Sequence, residues 1–121
     1  GGAEATLANP TSVTPVSLSA MNLDILNAWS VRSLNTATGN TQVTISGTQN
    51  TLTAAAGNEI TISGRQVRET TGTFGATTTF PSAGTFTTPQ TGDVRLVLDM
   101  SATTATGSFT GGNYTLTAVN I

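Results

Sequence analysis

Apolar residues alternate with Thr, Ser, Asn and Gln along most of the chain. In QVTISGTQNTLT, Val43, Ile45 and Leu52 are separated by polar residues, and EITISGRQV repeats the arrangement with Ile60 and Ile62. A period of two marks a strand with one buried face. DVRLVLDM sets Val94, Leu96 and Leu98 against Asp93, Arg95 and Asp99, which makes it the strongest strand in the chain. NYTLTAVNI sets Tyr114, Leu116 and Ala118 against Thr115, Thr117 and Val119. In VTPVSLSAMNLDIL the apolar parity switches between Leu18 and Met21, so a bulge or a crossing between sheets is expected near Ala20. AWSVRSL adds a strand through Trp29 and Val31.

The tetrapeptide TISG occurs at residues 44–47 and again at 61–64, each copy ending in a glycine suited to a turn. The copies are 17 residues apart and nothing continues the period, so they predict two similar strands of one sheet and not a solenoid. Between residues 70 and 92, Phe74, Phe80 and Phe86 stand among Gly, Pro and Thr, as single anchors in a loop-rich region. No stretch has a period of 3.6, and TLTAAAGNE, interrupted by Gly57, is limited to about one helical turn.

Short strands between turn signals predict an all-β fold, an Ig-like antiparallel β-sandwich. Its core is expected around Val94, Leu96 and Leu98, with Ile45, Ile60 and Ile62 facing them. Pro10 and Pro15 set the alternating start, AEATLA, apart from the rest. This divides the chain into an extension over residues 1–9 and one sandwich domain over 10–121.

Composition changes the picture in two ways. Leu, Ile, Val and Phe number 26 of 121 residues, close to the floor of about 20% below which chains tend to be disordered, but the net charge of −2 is too small for that outcome. A thin core is expected. Charged residues make up 8% of the chain, against about 25% in typical soluble domains, while Thr supplies 27 positions. Such a surface lacks the like-charge repulsion that keeps proteins apart, which suits packing against copies of itself. Thr-rich strands of a secreted protein account for the same composition. The start GGAEATLANP has no Met, basic segment or apolar segment and reads as a processed form or an added glycine pair. No apolar run reaches the roughly 18 residues of a membrane span.

Chemistry-bearing residues are few. There is no His, Cys or Lys, so neither an activated nucleophile nor a zinc site can be assembled in the usual way, and no cofactor is expected. Asp93 and Asp99 are six residues apart on one strand, roughly 20 Å at about 3.4 Å per residue, too far for a glycosidase pair. Asp24, Glu59 and Glu69 form the one set left to converge in space. Four arginines (Arg32, Arg65, Arg68, Arg95) against six acids give no cationic face for nucleic acid, and Arg65 and Arg68 are expected to pair with Glu59 or Glu69. The sole N-glycosylation sequon, Asn113-Tyr114-Thr115, falls on an expected core strand, where such triplets stay silent.

The detached alternating N-terminus, the Thr-rich β body and the glycine-introduced final strand TGSFTGGNYTLTAVNI together resemble the secreted pilins of chaperone–usher fimbriae. The resemblance is one of layout and rests on no diagnostic motif. Two features depart from it: the cysteine pair of many such pilins is absent, and the chain ends in Asn120-Ile121 where many have a nearby aromatic. The resemblance implies an incomplete sandwich that the N-terminal strand of a neighbouring subunit completes. It further implies a secreted homopolymeric filament at the cell surface, with identical subunits as partners and a periplasmic chaperone and usher during assembly. Ala3, Ala5 and Leu7 would then be the donor-strand side chains. A secreted carbohydrate-binding or adhesin module, or a virion decoration protein, fits the same layout.

Overall fold

The computed structural model describes residues 3–5, 11–15, 17–33, 39–54, 57–70, 72–82 and 90–120. Ten strands follow one another with no helix among the described residues. They are β1 (Ala3–Ala5), β2 (Thr11–Val13), β3 (Met21–Ser33), β4 (Gly39–Ser46), β5 (Thr51–Thr53), β6 (Glu59–Glu69), β7 (Thr77–Ser82), β8 (Gln90–Asp99), β9 (Phe109–Gly111) and β10 (Thr115–Asn120). A seven-stranded sheet runs β1-β3-β8-β6-β5-β9-β2, and a three-stranded sheet runs β10-β4-β7. All the strand pairings are antiparallel. Edge strand β1 comes alongside β10, and β7 alongside β6, so the sheets meet along their flanks and the sandwich is nearly closed. The all-β expectation holds.

One core fills the space between the sheets. Val94, Leu96 and Leu98 on β8 are buried, as are Ile60 and Ile62 on β6 and Ile45 on β4. Their arrangement differs from the expected one. Ile62 is the register partner of Leu98 on the adjacent strand of the same sheet, so Ile60 and Ile62 flank the β8 residues and do not face them. The opposing layer comes from Val43, Ile45 and Leu116, with Leu116 paired to Ile45 and Ala118 to Val43 across β10 and β4. The two TISG copies therefore belong to different sheets, one on β4 and one on β6, and not to one sheet as expected.

The expected bulge also moves. Ala20 lies just before β3, which then runs from Met21 to Ser33, so MNLDIL and AWSVRS share one strand. The irregularity sits further on: Ile25 pairs with Val94 and Trp29 with Gly92, which leaves three β3 residues opposite one on β8. Asn27 takes a φ of 53° there, a left-handed conformation that Asn tolerates better than most residues. The bulge pushes Leu26 out to 65% exposure and buries Ala28 and Trp29 side by side.

The N-terminal segment corrects the donor-strand expectation. Ala3, Glu4 and Ala5 pair with Ser33, Arg32 and Val31 of β3 in the same chain. A donor strand requires a segment with no partner in its own domain, whereas β1 caps the large sheet of its own fold. Leu7, the expected anchor, lies outside the described residues, as does Phe86.

Candidate functional site

The bulge in β3 is built around a buried carboxylate. Asp93 is 2% exposed, and its Oδ1 accepts a hydrogen bond from the Asn27 N–H at 2.9 Å. Its Oδ2 accepts from Arg68 Nε at 2.8 Å, and its carbonyl accepts from Trp29 Nε1 at 3.3 Å. The backbone donor freed by the bulge and the charge opposite it thus satisfy one side chain, as burial demands. Asp24 and Arg95, register partners on β3 and β8, form a two-point pair with Nε–Oδ1 at 2.7 Å and Nη2–Oδ2 at 3.0 Å. The arginine hydrogen bond holds the Asp24 carboxyl below its ordinary value, against the opposing effect of burial. Phe74 closes the cluster, with the Arg68 guanidinium 4.2 Å and that of Arg95 4.1 Å from its ring centre.

These contacts replace the expected ion pairs. Arg68 pairs with Asp93 and not with Glu59 or Glu69, and Arg65 turns elsewhere. Glu59 and Glu69 mark the two ends of β6, roughly 30 Å apart at about 3.3 Å per residue, and Asp24 is engaged by Arg95. The three carboxylates do not converge. Among the described residues no group of three or more His, Cys, Asp or Glu is placed to hold a metal ion.

Arg65 links the two TISG copies. On β6, Ile62 pairs with Leu98 and Gly64 with Val97, so Ser63 is an extra residue. This bulge shifts the inward positions from Ile60 and Ile62 to Arg65 and Val67, the partners of Leu96 and Val94. An arginine is thereby directed to the inner face of the sheet. Its Nη1 donates to Asn50 Oδ1 at 3.0 Å and its Nη2 donates to the Gln49 carbonyl. Nε is buried without a partner, and partial burial lowers the basicity of the group. Gly47, which ends the first copy, makes the room: a Cβ there would lie 2.9 Å from Arg65 Cζ and 2.8 Å from the Asn113 carbonyl oxygen. Gly64, expected at a turn, lies within β6 instead, where a Cβ would meet Val97 only at 3.5 Å, so it is Gly47 that the arginine head requires. The repeat is structural.

Beside this seam lies an open recess of about 360 Å³ lined by Ser46, Gly47, Thr48, Asn113, Tyr114 and Thr115. Gln49 ties its rim, accepting the Asn113 N–H on Oε1 at 3.1 Å. From the recess, a ladder of uncharged positions runs over the outer face of the small sheet. Thr115 pairs with Ser46, Thr117 with Thr44 and Val119 with Gln42. Thr115, Ser46, Thr117, Thr44 and Val119 are exposed, Val119 to 45%. Alternation places these residues on the polar side of their strands, but it cannot pair them. Nor did any motif announce Asp93 as buried, although Asn27 is a residue type that tolerates a bulge. Comparison with protein-family models, curated proteins and solved structures gives no match.

Proposed function

We propose that this protein is a non-catalytic structural subunit of an extracellular filament-like homopolymer, which associates through the outer face of its small sheet. The observation that carries the reading is the ladder Thr115–Ser46, Thr117–Thr44, Val119–Gln42, a paired surface without a charged residue. Hydroxyl and amide side chains in register can exchange hydrogen bonds with a second copy, and no like charges oppose the approach. The few charges are largely satisfied internally. Asp24 with Arg95, and Asp93 with Arg68, are paired within the large sheet, and Arg65 is engaged by the loop carrying Gln49 and Asn50.

The aromatic residues support this reading over a carbohydrate-binding module. Sugar platforms are built from exposed rings, whereas Trp29, Phe109 and Tyr114 are buried and Phe74 is flanked by two arginines. The reading takes the ladder and not a donor strand as the subunit contact, because Ala3–Ala5 pairs with β3 of its own chain. Electron microscopy of negatively stained purified protein tests the proposal: ordered filaments support it, and discrete monomers at every concentration refute it.

A further inference from the structure

We propose that Asn113 is an N-glycan acceptor. In the sequence the triplet Asn113-Tyr114-Thr115 reads as part of a buried strand, but β10 begins at Thr115 and Asn113 stands outside it. Gly111 and Gly112, with φ of 123° and 63°, turn the chain just before Asn113. Neither conformation suits an L side chain, so the kink belongs to these glycines. It lifts Asn113 off the sheet while Tyr114 enters the core. Asn113 and Thr115, the two residues a sequon needs, are both exposed.

The surroundings fit a bulky modification. The Asn113 backbone is fixed through its N–H to Gln49, and the residue is exposed at the rim of the recess. That recess, about 360 Å³, is of the size that small-molecule sites occupy, and Ser46, Thr48 and Thr115 line it with hydroxyls. The first sugar of a glycan would rest there without displacing any core residue, over the Thr115–Ser46 end of the ladder and not over its centre at Thr117–Thr44. A glycan attached before folding would likewise remain outside the finished domain. In the reaction the Asn113 amide nitrogen bonds to the anomeric carbon of a lipid-pyrophosphate-linked oligosaccharide, the lipid pyrophosphate leaves, and the amide gives up one proton. The setting rests on the extracellular reading above, whereas the acceptor geometry does not.

Secretion of the whole chain from a eukaryotic cell line, followed by intact-mass measurement, tests the site. One glycan per chain is expected, removable by peptide N-glycosidase, absent from Asn113→Gln and Thr115→Ala, and retained in Thr115→Ser. Circular dichroism of Asn113→Gln should match the parent, which separates loss of the acceptor from loss of the fold. A secreted, folded protein without added mass at Asn113 overturns the proposal. Filament formation by the same chain made without glycosylation reports on the assembly reading alone, so the two can fail separately.

Discussion

Gly92 lies against the indole of Trp29 so closely that a Cβ at this position would come within 1.9 Å of Trp29 Cζ2 and 2.1 Å of the Arg68 carbonyl oxygen. The contact explains why β8 carries a glycine opposite the bulge of β3: the bulge turns the largest side chain of the core onto the backbone of its neighbour. Neither the ring nor the Arg68 backbone can yield without disturbing the sheet. Gly92→Ala should destabilise the fold by at least the 1–3 kcal/mol of ordinary overpacking. Urea unfolding followed by Trp29 fluorescence measures it, and an unchanged midpoint would mean that the indole is not packed there.

Leu96 is fully buried at the centre of β8, between Leu23 on β3 and the inward bend of β6. Leu96→Ala removes that packing and should cost about 2–5 kcal/mol. The same unfolding experiment checks it, with a cost below about 1 kcal/mol speaking against the site as the core centre.

Asp93 serves the Asn27 N–H and Arg68 together. Asp93→Ala leaves the bulge amide without its acceptor, at a cost of about 1–3 kcal/mol for a buried unsatisfied group. Hydrogen exchange should show the loss first at Asn27, and protection there equal to that of the parent would rule out the pinning role.

The Asp24–Arg95 pair gives a pH signature. Its folded-state carboxyl is held below the ordinary value near 3.8, so its contribution is complete above that value and is lost as pH falls through the lower folded value. The difference in urea midpoint between the parent and Asp24→Asn should be full at neutral pH and shrink below about pH 4. Both side chains are partly exposed, so the effect is modest and salt weakens it. A difference that stays constant from neutral pH to pH 3 would dissociate Asp24 from Arg95.

The strands were readable in the sequence because one face of each meets a single core, and period-two alternation records that directly. Val94, Leu96, Leu98, Ile45, Ile60 and Ile62 all fall inside for this reason. What alternation cannot record is an inserted residue. The bulge at Ser63 resets the parity, and with it the identity of the inward side chains, whereas the insertion around Asn27 adds two residues and leaves Ile25, Trp29 and Val31 on one parity. Arg65 reads as a surface residue by its chemistry and becomes an inner-face one through a single extra residue on β6. Sheet membership was equally hidden, because the two TISG strands have the same pattern and belong to opposite layers. Of the candidate assembly surface, the polar faces of β4 and β10 were legible, but the register that makes them one ladder was not.

The outer ladder of the small sheet is the part on which the functional account depends. Thr117 and Thr44 are directly paired at its centre, both exposed, so a charge there disturbs neither the core nor the strand pairing. Sedimentation velocity over a concentration series, comparing the parent with Thr117→Lys, tests the claim most directly. The parent should shift to large, concentration-dependent species, while Thr117→Lys, with the same circular dichroism, should remain a monomer. A monomeric parent at all concentrations, or a lysine variant that assembles as the parent does, would contradict the account.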